Sequence, residues 1–304
     1  MRPLGEYETS HRHGHTMDAS IIVPVYNDPA GIRATLDSLL ALAYPAADHE
    51  ILVVDNASTD STREIARELT APHDHATVLV EDRIQSSYAA RNAGIRRASG
   101  EILAFVDADM SVEETWLGDL VAFFRETDAA YVGCDVEVYV PEGRRSLLAA
   151  YSVAKAFPVE YYVRELQFAP TCCLSADRAV IEDVGPFSTD LVSGGDAEFG
   201  RRVARAGYSQ QFAGDITMYH PARTTLREHL AKAVRQGRGR EQRHRTTSGG
   251  RPWHHPRNVL PPHPGRFCER LTTDESGGTL VAFYLLTYLL KFGKLYGQFD
   301  ERFR

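Results

Sequence analysis

Two aspartates spaced two residues apart, Asp107 and Asp109, follow a short apolar run in the segment AFVDADM at 104–110. The run from Glu101 to Val106 has the composition of a strand that is buried on both faces. Side chains two apart on a strand point the same way, so the carboxylates should converge if the strand extends to them. Two close like charges repel unless a cation or a donor lies between them. The spacing therefore predicts either a polar turn or a divalent-cation site that a substrate phosphate completes.

Strand and helix patterns alternate through the first third of the chain. The predicted strands are 20–26, 50–54, 77–80 and 101–106, and the predicted helices are 32–42, 59–69 and 87–98. This alternation predicts βαβ units and a parallel sheet, whose ligands bind at the carboxyl ends of its strands. Each predicted strand ends in acid or amide side chains, namely Asn27, Asp28, Asp55, Asn56, Asp82, Asp107 and Asp109. We therefore expect these polar groups to meet at one edge of the sheet.

Composition indicates a soluble globular chain of one large or two small domains, with 304 residues, 43% hydrophobic and 25% charged. The formal charge of −7 argues against nucleic acid as a partner of the whole surface. The segment 221–257 nevertheless contains ten Lys or Arg and two Glu, a local balance of +8. Such a segment predicts either a local anionic ligand, for example pyrophosphate or a membrane surface, or simply a solvated basic helix and loop.

Several familiar signals are missing from the sequence. It contains neither GxGxxG after the first strand nor GxxxxGK[ST], so a nucleotide would be held by side chains and metal rather than by a glycine-rich loop. The four cysteines have no disulfide spacing and indicate a reduced, intracellular protein. Residues 1–17 are polar, lack the apolar core of a signal peptide and are expected to be a disordered leader, with Met17 as an alternative start.

Four segments, taken in order, resemble the family 2 glycosyltransferases of the GT-A fold. They are IIVPVYND at 21–28, ILVVDNASTDST at 51–62, AARNAGIRRASGEILAFVDADM at 89–110 and GPFSTDLVSGGDAEFGRRVARAGY at 185–208. The resemblance covers about residues 19–220 and implies a mostly parallel central sheet flanked by helices. It implies a catalytic domain at 18–220, with a nucleotide-binding half at 18–110 and an acceptor half at 111–220. Residues 221–304 would form a basic loop and a C-terminal helical extension.

The resemblance also implies a set of residues that bind the nucleotide donor. In the family, such residues contact the base, the ribose or the pyrophosphate. At the matching positions of this sequence they are Pro24, Tyr26, Asn27, Asp55, Arg91, Asn92 and Asp107. Arg235 and Arg238, in the segment RQGRGR, resemble only loosely the lid that closes over the pyrophosphate.

The family pattern further implies a metal site and a general base. Asp109, with Asp107, would hold Mg²⁺ or Mn²⁺, and His220 either completes that site or is structural. The base would be Asp196 in GGDAEF at 194–199, where Gly195 replaces the usual Glu. The alternative role for Asp196 is an N-cap of a helix at 197–206.

The resemblance implies a metal-dependent inverting enzyme that moves one sugar, with UDP as the preferred nucleotide, to a hydroxyl acceptor that is a glycan or lipid-linked. The QxxRW pattern of processive members is incomplete, because Thr246 stands where Trp is expected. A sugar nucleotidyltransferase would need a Gly-rich loop with a basic residue after the first strand, and Asn27-Asp28-Pro29 offers neither. A degenerate sugar-nucleotide or glycan-binding protein would not be expected to keep Asp107, Asp109 and Asp196 together.

The uncharged stretch TLVAFYLLTYLL at 279–290 is too short, at about 18 Å as a helix, to span a bilayer core of about 30 Å. With Lys291 and Lys294 after it, the segment 279–296 is expected to lie in a membrane interface, to form a homodimer contact or to be buried in the core. The protein is accordingly expected to be cytoplasmic, with the cytoplasmic membrane face as the alternative location.

Overall fold

The computed structural model describes residues 17–246, 255–269, 271, 273 and 277–304. The predicted leader at 1–17, apart from Met17, lies outside the described residues. Part of the basic segment 221–257 lies outside them as well.

The elements of the first third follow the predicted alternation closely. They are β1 (Ala19–Val25), α1 (Pro29–Leu39), β2 (His49–Asp55), α2 (Thr62–Thr70), β3 (Ala76–Val80), α3 (Ser87–Arg97) and β4 (Ile102–Phe105). The local chemistry explains where α1 begins: the Asp28 carboxylate accepts a hydrogen bond from Gly31 N at 2.8 Å, and Pro29 occupies the first turn.

The second part of the chain contributes further strands and most of the helices. They are β5 (Ser111–Val112), α4 (Trp116–Glu126), β6 (Tyr131–Tyr139), α5 (Leu147–Ala154), α6 (Val159–Leu166), β7 (Leu174–Asp177), α7 (Arg178–Val184), α8 (Gly195–Arg205), β8 (Gln210–Pro221), α9 (Leu226–Thr246), α10 (Pro264–Cys268) and α11 (Gly277–Arg302).

The described strands form one sheet in the order β3-β2-β1-β4-β7-β6-β8-β5. Strand β1 pairs in parallel with β2 and β4, and all seven of its residues are buried, because helices cover both faces of the sheet there. Strand β7 runs antiparallel to β4 and β6, and β5 runs antiparallel to β8. Strands β6 and β8 pair in parallel, so the sheet is mixed: the first half contributes only parallel pairs, and the second half contributes both kinds. One hydrophobic core underlies both halves.

The helices α9 and α11 lie side by side in the same direction. A Cβ on Gly237 would overlap the backbone of Lys294, and a Cβ on Gly297 would overlap the backbone of Val234. The glycines thus let the two backbones approach closely. Two expectations are corrected here: RQGRGR, expected on a helix and flexible loop, lies wholly within α9, and α11 extends beyond the uncharged stretch 279–290 to 26 residues, about 39 Å.

Candidate active site

Asp107 and Asp109 lie in a turn beyond the end of β4, at the carboxyl edge of the parallel strands. The turn is closed by a hydrogen bond from Met110 N to Asp107 O at 3.1 Å. The strand ends at Phe105, so the two carboxylates are not aligned by strand alternation, and that premise of the prediction was wrong. The turn instead gives each carboxylate its own partner.

The partner of Asp107 is Arg91, which α3 presents to the sheet edge. Arg91 Nη2 lies 2.5 Å from Asp107 Oδ1, and Arg91 is only 3% exposed. Its buried Nε has no hydrogen-bond partner among the described residues. A buried guanidinium with an unused donor can serve an anionic ligand at this edge.

The partner of Asp109 is His220, near the end of β8. His220 Nε2 lies 3.8 Å from Asp109 Oδ2, and His220 Nδ1 donates to Pro221 O at 2.7 Å. A carbonyl can only accept, so in the neutral ring Nε2 carries the lone pair. Metal-binding histidines are commonly held in this way. Within the described ranges no group of three or more His, Cys, Asp or Glu is arranged to hold a metal, so this pair would need ligands from a substrate or from water.

Asp55, the last residue of β2, is buried and has one unused acceptor. Its Oδ2 accepts from Arg63 Nε at 2.8 Å and from Ser58 N at 3.2 Å. Its Oδ1 is buried and has no hydrogen-bond partner in the part of the chain that the structure describes. An unpaired buried carboxylate oxygen is costly, so this atom is suited to accept an N–H from a ligand.

The three residues predicted to bind the nucleotide at the end of β1 differ: Asn27 and Pro24 support the backbone, whereas Tyr26 is accessible. Asn27 has φ +49 and accepts from Thr59 N at 2.8 Å, so its side chain ties the β1 turn to the loop after β2. Pro24 is buried inside β1, where it pairs with Val54. Tyr26 is 49% exposed beside them and can stack on a planar ligand.

The Asn92 side chain forms hydrogen bonds with the backbone of another segment and does not face the open edge of the sheet. Its Nδ2 donates to Phe187 O at 2.8 Å, and its Oδ1 accepts from Phe187 N at 3.0 Å. Both hydrogen bonds are buried, so the side chain fixes the segment before α8 against α3. In this arrangement Asn92 supports the site without facing it.

Asp196 lies in the first turn of α8, which begins at Gly195 with Gly194 as its N-cap. The helix starts two residues earlier than predicted, so Asp196 is not the N-cap. Its Oδ1 accepts from its neighbour Ala197 N at 2.8 Å. Burial raises the pKa of the Asp196 carboxyl, while Arg91 and Arg243 oppose that rise. A carboxylate whose pKa is raised in a cleft is suited to accept a proton.

The structure explains why glycine stands where the family pattern has Glu. A Cβ on Gly195 would lie 2.7 Å from the ring of Tyr88, whose hydroxyl accepts a hydrogen bond from Gly195 N at 2.8 Å. The Tyr88 ring therefore fills the space that a side chain at 195 would need. Burial and the nearby Asp196 raise the pKa of Tyr88 to about 12, so its hydroxyl stays protonated.

Two cations that the sequence analysis did not single out, Lys232 and Arg223, lie near His220 and Asp109. The Phe157 ring stacks at an angle on His220, with 5.6 Å between centroids, and Lys232 Nζ lies 5.4 Å from the centre of the same ring. Burial, with Arg223 and Arg235 nearby, lowers the pKa of Lys232 to about 7. The signals in the sequence were the basic segment 221–257, which contains both residues, and the short distance from His220 to Arg223 in HPARTT.

The two arginines predicted to close over the pyrophosphate differ. Arg235 is exposed and lies near Lys232. Arg238 forms an ion pair with Asp300 of α11, with Nη2 to Oδ2 at 2.7 Å, so the expectation for Arg238 is corrected. Its guanidinium holds α9 to α11.

In sequence, this chain is similar to known glycosyltransferases. The glycosyl transferase family 2 model matches residues 20–185. Glycosyltransferase AglE of Haloferax volcanii is 40% identical over 223 residues, which are 73% of this chain and 73% of AglE.

Solved structures give the same result at the level of the fold. The mannosyltransferase PcManGT of Pyrobaculum calidifontis, in complex with GDP-Man and Mn²⁺, aligns with 94% of this chain and 73% of its own, with a TM-score of 0.57 and 21% identity. TarS 1–349 of S. aureus, in complex with UDP-GlcNAc, aligns with 94% of this chain and 92% of its own, with a TM-score of 0.58 and 19% identity. At such identities these structures confirm the predicted GT-A fold and no more.

Proposed function

Because the chain belongs to glycosyl transferase family 2 and is a glycosyltransferase, we propose that it is a metal-dependent inverting enzyme. It would move one sugar from a nucleoside-diphosphate sugar to a hydroxyl acceptor. The observation that carries this proposal is the pair of Asp109 and His220 at the sheet edge, with the histidine fixed so that Nε2 faces the carboxylate.

We propose that the nucleoside lies across the ends of β1 and β2. The unused Asp55 Oδ1 would accept the N–H of a uracil ring, and the exposed Tyr26 would stack on the base. Both uracil and guanine carry such an N–H group. UDP remains the preferred nucleotide of the donor sugar. Asn27 and Pro24 would shape the backbone around the base.

The residues around Asp109 fit a divalent cation of the Mg²⁺ or Mn²⁺ type. Asp109 and His220 would hold it, with Asp107 beside them, and the substrate diphosphate would fill the remaining positions. When bound, such a cation neutralises the charge that grows on the leaving diphosphate. Arg91 binds Asp107 on one side, while Arg223 and Lys232 lie near His220 and Asp109, and all three cations would favour an anion between them.

Asp196 would act as the general base. Its carboxylate takes the proton of the acceptor hydroxyl, the hydroxyl oxygen attacks the anomeric carbon, and the bond to the diphosphate breaks on the opposite face. A single displacement of this kind inverts the anomeric centre. The raised pKa of Asp196 makes it a stronger base than an exposed aspartate.

We also propose that α11 rests on a membrane surface, which would suit a lipid-linked acceptor. By length and composition alone α11 could cross a membrane, and only 17% of its most apolar window is buried. However, α11 lies along α9, whose Arg238 and Glu241 form ion pairs with it. These polar contacts favour a helix that lies on the bilayer with its outer face down.

The test of this function is a donor screen followed by one substitution. Incubation of the protein with UDP- and GDP-sugars and Mn²⁺ should release free nucleoside diphosphate from one donor. Asp196→Asn should keep donor affinity within about twofold and reduce transfer by about 100-fold or more. Asp215→Asn changes an exposed aspartate of β8 and serves as the control. Transfer by Asp196→Asn within a few-fold of wild type would mean that another group is the base.

A further inference from the structure

The C-terminal half of α9 contacts the loop that leads into Asp196. Gly239 lies against Ser193 without room for a Cβ. Gln242 Oε1 accepts a hydrogen bond from Val192 N at 2.8 Å, and Arg243 Nη1 donates to Ser193 O at 2.6 Å. Three residues on one side of α9 thus fix two consecutive residues of this loop.

Arg243 also crosses directly over Gly194. A Cβ on Gly194 would overlap the guanidinium of Arg243, and Gly194 has φ +86, which few other residues adopt easily. Glycine at this position is therefore required twice, by the backbone and by the neighbouring side chain. The guanidinium consequently lies against the N-terminal turn of α8, which contains Asp196.

Charged and titratable groups face the Asp196 carboxylate from three elements. They are Tyr88 and Arg91 of α3, Tyr131 of β6 and Arg243 of α9. Burial raises the pKa of Asp196, and the positive charges of Arg91 and Arg243 lower it. Arg91 is also engaged by Asp107, whereas Arg243 reaches the site from the C-terminal helices.

We propose that Arg243 is a positioning residue for the general base. It holds the backbone at 193–194, so that the first turn of α8 presents Asp196 in one orientation, and its positive charge favours the ionised carboxylate. The inference rests on the proposed function only in taking Asp196 as the base. The contact between α9 and the loop does not depend on that assignment.

The proposal gives the C-terminal helices a part in catalysis. The segment of α9 that carries Arg243 is held by α11, through Arg238 to Asp300 at 2.7 Å and Gln242 Nε2 to Glu301 Oε1 at 3.1 Å. Because α11 fixes α9 and α9 fixes the loop, the orientation of Asp196 depends on elements that lie outside the resemblance at 19–220.

The kinetic test compares three variants of the full chain with the donor that the screen identifies. Arg243→Ala should lower kcat by about 10- to 100-fold, because the base loses its orientation, while the donor KM stays within about twofold. The acid limb of its pH–rate profile should move to higher pH, since loss of the positive charge raises the pKa of Asp196. Arg243→Lys should bring that limb back towards wild type. Arg227→Ala is the control, because it removes an exposed arginine near the start of α9, away from the loop before α8.

A direct titration decides the inference without any turnover. The ¹³C signal of the Asp196 carboxyl, assigned by its loss in Asp196→Asn, is followed with pH in each variant. A raised pKa of Asp196 in Arg243→Ala but not in Arg243→Lys or Arg227→Ala supports the proposal. An unchanged pKa in Arg243→Ala, or an equal rise in Arg227→Ala, overturns it. If Asp196→Asn keeps its transfer activity, the proposed base is wrong, and the titration still decides whether Arg243 acts on Asp196.

Discussion

At the scale of single residues, the site is built from groups that each have one satisfied side and one open side. His220 donates through Nδ1 and leaves Nε2 open, and Asp55 accepts through Oδ2 and leaves Oδ1 open. Arg91 binds Asp107 and leaves Nε open. Unpaired polar atoms in a buried edge cost stability, so their presence together indicates a place where a ligand completes the hydrogen bonds.

We predict that Asp109→Ala abolishes the part of UDP affinity that depends on Mn²⁺ and leaves the fold intact. The reason is that Asp109 supplies the carboxylate opposite His220. Calorimetric titration of UDP with and without Mn²⁺ measures the effect, and Asp215→Ala, which removes an exposed carboxylate, is the matched control. Equal affinity of Asp109→Ala and wild type in the presence of Mn²⁺ would sink the assignment.

The lowered pKa of Lys232 leads to a prediction about proton uptake when UDP binds. Its pKa of about 7 means that it is partly neutral near pH 7.5, and a bound diphosphate would raise that pKa by charge attraction. UDP binding at pH 7.5 should therefore take up a fraction of a proton, which is measured by calorimetry in buffers of different ionisation enthalpy. Lys232→Met should remove this uptake. An uptake that persists in the variant would show that Lys232 does not face the diphosphate.

At the scale of elements, two close helix contacts decide where the site residues stand. The loop before α8 is held by α3 through Asn92 and Tyr88, and by α9 through Arg243. The pairing of α9 with α11 in turn depends on glycines that let the backbones meet. The C-terminal helices thus contact the elements that carry the candidate site residues.

We predict that Gly297→Ala and Gly278→Ala have opposite effects on stability, although both put one methyl group on α11. Alanine normally stabilises a helix relative to glycine by about 1 kcal/mol, and a Cβ at Gly278 would meet none of the described residues within 4 Å. At Gly297 the methyl would overlap the backbone of Val234, so we expect a loss of about 1–3 kcal/mol. Urea unfolding of both variants measures the difference. Equal stability of the two would contradict the close packing of α9 and α11.

At the scale of the whole molecule, the outer face of α11 is an exposed apolar surface. Seven large apolar side chains are exposed along it: Val281, Leu285, Leu289, Phe292, Tyr296, Phe299 and Phe303. They follow one another at intervals of three or four residues and form a single stripe about 33 Å long. An exposed apolar surface of this extent indicates an interaction site for a protein or a membrane.

We predict that the full chain co-sediments with vesicles that contain anionic lipid at low salt. The double variant Leu285→Glu, Phe292→Glu should stay in the supernatant, because charges would then have to enter the lipid interface. Tyr161→Glu, which changes an equally exposed aromatic residue of α6, is the control. A wild-type protein that remains in the supernatant and sediments as a dimer that the double variant cannot form would assign the stripe to a second copy instead.

The sequence alone determined the order of elements in the first third, because hydrophobic periodicity and polar strand ends are local properties. The family pattern also singled out Asp107, Asp109, Asp196 and His220 as candidate site residues without coordinates, and their roles stay predictions. The sequence included Arg223, Lys232 and Arg243 only in the basic segment 221–257 and did not single them out, because these cations belong to no motif that spacing reveals. It also assigned Arg238 to the donor, although a distant carboxylate, Asp300, holds it.

Only the tertiary structure decided how the motif residues are paired. Whether Asp107 and Asp109 share a partner depends on where β4 ends, and the strand stops before them. Why glycine replaces Glu at 195 depends on a tyrosine more than 100 positions earlier, whose ring occupies the space. Likewise, only the packing of α11 against α9 shows which face of α11 is buried and which is exposed. Local sequence fixes the type of an element, whereas contacts between residues far apart in the chain fix which atoms remain open for chemistry.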